Sequence, residues 1–252
     1  MARVLLTRQD NSAVSKILKK SGIDCLDMPL INCAFEVNAD DAIDIFGELS
    51  GYDWLTFSSP NAVKGFFKAF FKEFKDIRSL GIARIACVGE ATAKELSKFY
   101  LCADVIPEKQ TGVDMVEAMH NFESLDNLRV LSVRGNLALP DVLKALDEKR
   151  AIVDTFEVYK TELLGLNQTD KTLADFKKNG ADVVVFASPS AVQSFVNNAS
   201  KLILSDKAVR PKIVAIGSTT AEALKKYSMN VASVAQSPSP EDIAKAVLEL
   251  IK

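Results

Sequence analysis

Hydroxyl residues and prolines recur where apolar runs of this chain end. The stretch TFSSPNAV at 56–63 returns as VFASPSAV at 185–192, so that Ser59 has a counterpart in Ser188. Serine followed by proline is typical of a helix start, because the serine oxygen accepts an amide hydrogen bond and proline fits the first turn. The exposed amides of a helix start also attract anions. A purely structural cap and an anion-binding corner therefore both stay open as interpretations.

A second kind of corner combines a glycine with threonines. In VGEAT these residues are Gly89 and Thr92, and in IGSTT they are Gly217, Thr219 and Thr220. Each glycine ends an apolar run where the chain must turn tightly into a helix, which again exposes amides. Two corners of each kind would suit a ligand with several carboxylates or phosphates. Capping alone accounts equally well for each threonine.

Two arginines end matching segments of the chain. Arg8 closes ARVLLTR, and Arg134 closes LRVLSVR at the same position of the segment. A guanidinium can bind a carboxylate through two parallel hydrogen bonds, whereas a single arginine at a strand end is usually only solvated. Because an arginine stands at the same position in both copies of the segment, a functional interpretation of Arg8 and Arg134 is favoured.

Several other chemistries lack the residues that they need. One histidine, His120, and four cysteines without a C-x-x-C pair argue against a zinc site and against a Ser-His-Asp triad. The formal net charge of −2 does not favour nucleic-acid binding, and no apolar run approaches the ~20 residues of a membrane span. Without a secretion signal, we expect a cytoplasmic protein with buried thiols and with no metal, nucleic-acid or membrane partner.

The corners belong to an internal duplication. ARVLLTR (2–8) matches LRVLSVR (128–134), GYDWLTFSSPNAVKGFF (51–67) matches GADVVVFASPSAVQSFV (180–196), and ARIACVGEATAKEL (83–96) matches PKIVAIGSTTAEAL (211–224). The offset stays between 126 and 129 residues, which indicates one duplication event. The chain therefore has the order A-B-A′-B′, where A is the opening strand and helix and B contains the later segments.

Each repeated segment begins with a β-branched run, such as RVLL or VVVF, and continues into an amphipathic helix. Strands of this kind, alternating with helices, predict parallel sheets with helices on both faces. We therefore predict an α/β fold of two similar, flavodoxin-like domains within the 252 residues. INCAFEVN (31–38) and DTFEVYKTE (154–162) alternate polar and apolar residues more cleanly and are candidate connecting strands. The repeat leaves open whether A folds with B or B folds with A′.

The same segments resemble the uroporphyrinogen-III synthase family. The matching stretches are RVLLTR, DWLTFSSPNAV, IACVGEATAKEL, VLSVRGNLALPDVLKAL with FEVYKTE, DVVVFASPSAVQSF, IVAIGSTTAEAL and SPSPEDIAKAV, in the family's order over nearly the whole chain. The resemblance implies that B folds with A′ while B′ returns to A. One domain would be 1–34 plus 165–252 and the other 40–155, with linker strands at 35–39 and 156–164 and a cleft between the domains.

The resemblance also implies a reaction. Hydroxymethylbilane, a linear tetrapyrrole with eight carboxylates, would lose its hydroxyl, invert ring D through a spiro intermediate and close to uroporphyrinogen III. No cofactor or metal would take part, and the free bilane closes by itself to the uninverted isomer. Such a reactive substrate needs positioning and fixed dipoles more than a strong acid or base. We expect the enzyme to be a monomer.

Site residues follow from matching the family's motifs. Tyr159 in FEVYKTE matches a tyrosine that is proposed to help the hydroxyl leave, and a phenol can donate a proton to it. The expected substrate-binding residues are Arg8, Ser58, Ser59, Asn61, Gly89, Thr92, Arg134, Gly135, Ser188, Ser190, Gly217, Thr219, Thr220 and Ser239. Ser239 would also cap a helix. Gln9 is a departure, because the family often has proline after the first arginine.

Two other classes of protein fit parts of this pattern. A two-domain sensor or carrier could bind a small anion in a similar cleft without catalysis. A tandem flavodoxin-like or receiver-like protein could act through phosphate or partner binding. A receiver, however, needs clustered acidic residues after its first strand and an aspartate after the third, which LLTRQDN and FSSPN do not supply.

Overall fold

The computed structural model describes residues 2–251, which form ten strands and ten α-helices that alternate over most of the chain. The first half contains β1 (Arg3–Leu6), α1 (Ser12–Lys20), β2 (Asp24–Asp27), β3 (Ile31–Ala34), α2 (Ala39–Gly47), β4 (Trp54–Phe57), α3 (Pro60–Glu73), β5 (Arg84–Cys87), α4 (Glu90–Leu96) and α5 (Gly112–Phe122). The second half contains β6 (Arg129–Gly135), α6 (Asp141–Glu148), β7 (Ile152–Leu163), α7 (Lys171–Asn179), β8 (Val183–Phe186), α8 (Pro189–Asn197), β9 (Lys212–Ala215), α9 (Ser218–Lys226), β10 (Val231–Val234) and α10 (Pro240–Ile251).

The strands form two five-stranded sheets. The first has the order β10-β9-β8-β1-β2 and the second the order β3-β7-β6-β4-β5. The neighbours in the first sheet are parallel, as are β7, β6, β4 and β5 in the second. The predicted α/β fold with two parallel sheets flanked by helices is confirmed. The chain divides into two compact units, of which unit one contains residues up to 33 and from 162 onward, and unit two contains 34–161.

The sheet orders show how the duplicated segments combine. Unit one joins the opening strand β1 to β8 and β9 of the second copy, whereas unit two joins β6 to β4 and β5. Counted within unit one, the order is 2-1-3-4-5, which is the flavodoxin-like arrangement. In unit two, a single parallel bridge between Ala86 and Val105 stands at the position that β10 occupies in unit one.

A duplicated aspartate lies at the amino ends of both sheets. Asp182 accepts a hydrogen bond from the Arg3 amide at 2.7 Å, and Asp53 accepts one from the Arg129 amide at 2.8 Å. These contacts join β8 to β1 and β4 to β6 just before each strand pair begins. Because a shift by one residue would turn every side chain to the other face, such contacts help to fix the register.

The helices of each unit cover both faces of its sheet. In unit one, Val14 of α1 packs with Ile243 of α10, while α7, α8 and α9 pack on the opposite face. In unit two, α2 and α3 pack on one face, with Phe46 and Phe66 buried there, and α5 and α6 pack on the other. The covering face therefore changes between β1 and β8 in unit one and between β6 and β4 in unit two.

The two alternating stretches differ from the prediction in their bounds. β3 ends at Ala34, so the strand that was expected at 35–39 lies earlier, and residues 35–38 lead into α2. The side chain of Asn38 accepts hydrogen bonds from two amides of the first turn, which explains why α2 begins at Ala39. The second stretch is the later part of β7, a 12-residue strand of the second sheet.

The cysteines are less buried than expected. Cys87 is buried, but Cys25 is intermediate and Cys102 is exposed. Within residues 2–251, no helix combines the length and apolar character that crossing a membrane requires.

Candidate functional site

The topology indicates where each unit could bind a ligand. In an open parallel sheet, ligands bind at the carboxyl ends of the strands, at the point where the covering helices change face. This point lies between β4 and β6 in unit two, where Ser58 and Ser59 follow β4 and Gly135 ends β6. It lies between β1 and β8 in unit one, where Arg8 and Ser188 follow the two strands.

Ser59 has two contacts in unit two. Its side chain accepts a hydrogen bond from the Ala62 amide at 3.1 Å, and Pro60 begins α3, so the predicted cap is confirmed. The same oxygen lies 3.1 Å from the phenol oxygen of Tyr159. Ser58 instead donates to the Val133 carbonyl at 3.3 Å and ties the corner to β6. The serine at the cap thus also contacts the predicted catalytic residue.

A β-bulge turns Tyr159 toward Ser59. Arg134 pairs with Glu157 and Gly135 pairs with Tyr159, which leaves one extra residue, Val158, in β7. Val158 is buried in the core under α3, and regular alternation would turn the next side chain to the opposite face. Tyr159 nevertheless packs against the same core, because the extra residue re-aims it.

The Tyr159 ring lies over a glycine. A methyl group at Gly135 would lie 2.4 Å from Tyr159 Cζ, so no larger residue fits beneath the ring as it stands. The ring also contacts Phe35, with ring centres 6.4 Å apart. Asn136 donates its amide to the Tyr159 carbonyl at 3.3 Å. The contact with Phe35 could not be predicted from the sequence, because its only signal there is an aromatic residue in the alternating stretch CAFEVN.

Arg134 is directed toward its own loop. It is 8% exposed, and its guanidinium donates to the carbonyls of Ala138 and Leu139. The side-chain oxygen of Asn136 accepts a hydrogen bond from the Thr161 amide at 2.8 Å, which fixes the other side of this loop. In this structure Arg134 therefore shapes the loop after β6, and its guanidinium is occupied by main-chain carbonyls.

The glycine corner of unit two is built around a close contact. Gly89 precedes α4, and within residues 2–251 no side chain caps this helix start. A methyl group at Gly89 would lie 2.4 Å from Gln110 Oε1, so a larger residue there would have to displace the Gln110 side chain. Thr92 is 1% exposed, and its side chain points into the protein interior. Asn61 is half-buried in the first turn of α3.

In unit one, Arg8 is partly exposed beside a very small cavity. Burial lowers the pKa of Arg8, while the neighbouring Asp10 carboxylate acts in the opposite direction. The cavity has a volume of about 10 Å³, and its polar lining consists of Thr7, Arg8 and Asn11. This volume is near the minimum for one water molecule, so no larger group enters beneath Arg8 in this structure.

The remaining predicted residues of unit one lie at helix starts. Ser188 caps α8 through the Ala191 amide at 3.1 Å, and Ser190 follows in the first turn. Ser239 accepts from the Asp242 amide at 3.2 Å and caps α10 as predicted. At the Gly217 corner, within the described chain, α9 has no side-chain cap. Thr219 is exposed there, whereas Thr220 is 3% exposed.

Together these features define a duplicated flavodoxin-like α/β protein with hydroxyl and amide groups at the carboxyl edge of each sheet. The family model described as uroporphyrinogen-III synthase HemD matches residues 12–245. The chain belongs to the uroporphyrinogen-III synthase family, whose members are cyclising enzymes of porphyrin biosynthesis.

Individual relatives agree with this assignment. The chain is 26% identical over 255 residues to a uroporphyrinogen-III synthase of Chlorobaculum parvum, with 100% of both chains covered. It is 24% identical to a putative uroporphyrinogen-III synthase of Methanocaldococcus jannaschii, with 89% of each covered.

Solved structures show the same fold. A mutant uroporphyrinogen III synthase from Thermus thermophilus superposes with a TM-score of 0.73 at 17% identity, covering 100% of this chain and 99% of the other. A uroporphyrinogen-III synthetase from Helicobacter pylori gives a TM-score of 0.64 at 18% identity, covering 99% and 100%.

Proposed function

We propose that this chain closes hydroxymethylbilane to uroporphyrinogen III with inversion of ring D, and that Tyr159 is its catalytic residue. Family membership supports the reaction. The observation that supports Tyr159 is its phenol oxygen, 3.1 Å from Ser59 Oγ at the switch point of unit two. A phenol at this edge can donate a proton to the hydroxyl that leaves the substrate.

The bond changes define what the phenol does. The carbon–oxygen bond of the hydroxymethyl group breaks, its electron pair stays on oxygen, and the oxygen takes the phenol proton and leaves as water. The substituted carbon of ring D then attacks the methylene carbon of the resulting azafulvene, and this new carbon–carbon bond gives the spiro intermediate. Rearrangement and loss of one proton then restore the aromatic pyrrole, so the cycle consumes and releases one proton.

The carboxylates of the substrate are proposed to meet the polar edges of the sheets. In unit two we propose contacts with Ser58, Asn61 and the amides after Gly89. Thr92 is buried, so we propose that it supports this corner and leaves the contact to the main chain. Gly135 and Arg134 contribute by forming the loop beneath Tyr159.

For unit one we propose side-chain and amide contacts of the same kind. Arg8 and Thr219 keep exposed surface and can bond a carboxylate directly. At the Gly217 corner, the main-chain amides of α9 are proposed to act, with Thr220 buried behind them. Ser188, Ser190 and Ser239 stand at helix starts and complete the proposed set.

The test is the identity of the product. Freshly generated hydroxymethylbilane is incubated with the protein, the product is oxidised, and the isomers are separated by chromatography. The proposal predicts uroporphyrinogen III at a rate far above the spontaneous closure. Only isomer I at the spontaneous rate, as with heat-denatured protein, would instead indicate a binding protein without catalysis.

We also infer that the enzyme acts as a monomer, since one chain supplies every residue of the proposed set. Sedimentation equilibrium should then give a mass near 27.5 kDa, and a multiple of this mass would contradict the inference.

A further inference from the structure

The hydrogen bonds around Ser59 have a direction. Ser59 Oγ accepts the Ala62 amide hydrogen at 3.1 Å and lies 3.1 Å from Tyr159 Oη, where either oxygen could be the donor. A phenol has one proton, and a phenol that gives this proton to the substrate cannot also give it to Ser59. In the reactive arrangement, therefore, the serine hydroxyl donates and the phenol oxygen accepts.

We propose that Ser59 is a positioning residue that donates a hydrogen bond to the phenol oxygen of Tyr159 and stabilises the phenolate formed when the substrate hydroxyl leaves. The chain of donors runs from the Ala62 amide to Ser59, from Ser59 to Tyr159, and from Tyr159 to the substrate. Each bond in such a chain polarises the next. This inference rests on the proposed function, because it assumes that Tyr159 is the proton donor.

The other copy of the repeat provides an internal comparison. Ser188 caps α8 with backbone angles of φ −169° and ψ 161°, close to the −168° and 163° of Ser59, and with the same 3.1 Å bond. At the offset of 126 residues, Tyr159 corresponds to Cys33 and Gly135 corresponds to Gln9. The Gln9 side chain accepts the Cys33 amide at 2.9 Å.

The fold therefore does not require that a tyrosine ring pack over a glycine next to the capping serine. The corresponding positions of the other copy hold glutamine and cysteine, whereas this copy has a glycine that admits an aromatic ring and a bulge that aims it. Both copies share the cap, and only one adds the phenol. The pairing of Ser59 with Tyr159 is thus a specific addition to a common structural corner.

Proton transfer leaves a negative charge on Tyr159 Oη until the final pyrrole loses its proton. A donor to this oxygen favours the charged form and so lowers the phenol pKa. Removing the donor should raise the phenol pKa and slow the proton transfer. The segment 35–38, α3, β6 and β7 lie around the ring, and their charged residues are Glu36, Lys64, Lys68, Lys72, Glu73, Arg129, Arg134, Asp154, Glu157, Lys160 and Glu162. All of these charges remain when Ser59 is replaced, so a change in the phenol pKa can be attributed to the loss of the serine hydroxyl.

The first experiment is a spectroscopic titration that needs no substrate. Absorbance near the phenolate band is followed against pH, and the curve of the Tyr159→Phe variant is subtracted so that the other three of the four tyrosines cancel. Ser59→Ala should raise the pKa of Tyr159 by about one unit, the lower range for a lost bond to a charged group. Ser188→Ala loses the matching cap and should leave this pKa where it is.

An unchanged or lowered pKa of Tyr159 in Ser59→Ala would overturn the proposal. An equal shift in Ser188→Ala would overturn it too, because the effect would then come from the loss of a cap. Thermal melts of the two alanine variants show whether both lose similar stability. Ser59→Thr, which keeps the hydroxyl, should restore the wild-type titration.

The second experiment follows the reaction. Ser59→Ala should lower kcat about tenfold with a smaller change in KM. In the pH profile of kcat, the high-pH limb should move to higher pH, because it follows the phenol pKa. Ser188→Ala should leave the position of that limb unchanged. If wild-type protein forms no isomer III, the proposed function fails, whereas the titration still decides whether Ser59 donates to Tyr159.

Discussion

Replacing Gly135 with alanine tests whether the position of the Tyr159 ring matters for the reaction. The new methyl group would lie 2.4 Å from Cζ, 2.5 Å from Cε2 and 2.8 Å from Cε1 of that ring. Carbon atoms normally stay ~3.5 Å apart, so the ring must move by about 1 Å. The residue lies outside the left-handed region of backbone space, so alanine adds no backbone strain.

This displacement should affect the rate much more than the stability. The 3.1 Å contact with Ser59 would open beyond the ~3.5 Å limit of a hydrogen bond. A shift of about 1 Å in a reacting group lowers the rate by about 10²-fold. The half-buried ring can swing toward solvent, so we expect the free energy of unfolding to fall by only about 1 kcal/mol.

The assay is the initial rate of isomer III formation, together with urea denaturation of the same samples. Gly165→Ala is the control, because its methyl group would meet no atom within 4 Å, and it should keep the wild-type rate and stability. In a Tyr159→Phe background, the added Gly135→Ala change should lower the rate much less than it does alone. A Gly135→Ala variant with the wild-type kcat would refute the importance of the ring position.

Three further predictions concern the framework. Asp182→Ala should lower the free energy of unfolding by about 1 kcal/mol in urea, because a strand amide loses its carboxylate partner; equal stability would show that the contact is unimportant. Gly65→Ala should lower it by about 2 kcal/mol, since the methyl group would lie 2.4 Å from the Val158 carbonyl oxygen, and a neutral result would contradict this packing. Burial raises the pKa of the Cys87 thiol to about 12, so iodoacetamide at pH 8 should label the exposed Cys102 and spare Cys87 until urea is added; labelling of native Cys87 would count against its burial.

Much of the fold could be predicted from local patterns. The β-branched runs and the constant offset of the repeat predict parallel strands and two similar units, and the serine–proline pairs predict the starts of α3 and α8. These features depend on short stretches of chain. Their physical causes, which are strand burial and amide capping, act within a few residues.

The details of the candidate site depend on contacts between distant segments. The bulge that aims Tyr159 arises from the register between β6 and β7, which alternation within β7 alone cannot reveal. The direction of Arg134 depends on how the loop after β6 folds back over it. The family resemblance predicts Thr92 and Thr220 as ligand contacts, but their burial depends on how α4 and α9 rotate against their sheets.

The glycines of the site illustrate the same limit. Gly89 and Gly135 both appear in the sequence as turn residues. In the structure each lies against a side chain that approaches from elsewhere, the flexible Gln110 in the first case and the Tyr159 ring in the second. Gly217 has open space around it and is not constrained in this way.

The most direct test is a single-turnover experiment with Tyr159→Phe, in which enzyme in excess is mixed with hydroxymethylbilane and the appearance of isomer III is followed. Phenylalanine keeps the ring over Gly135 and removes only the proton donor. If the phenol protonates the leaving hydroxyl, the rate of the chemical step should fall by about 10²-fold or more. A variant that forms isomer III at the wild-type rate would show that the hydroxyl leaves without Tyr159.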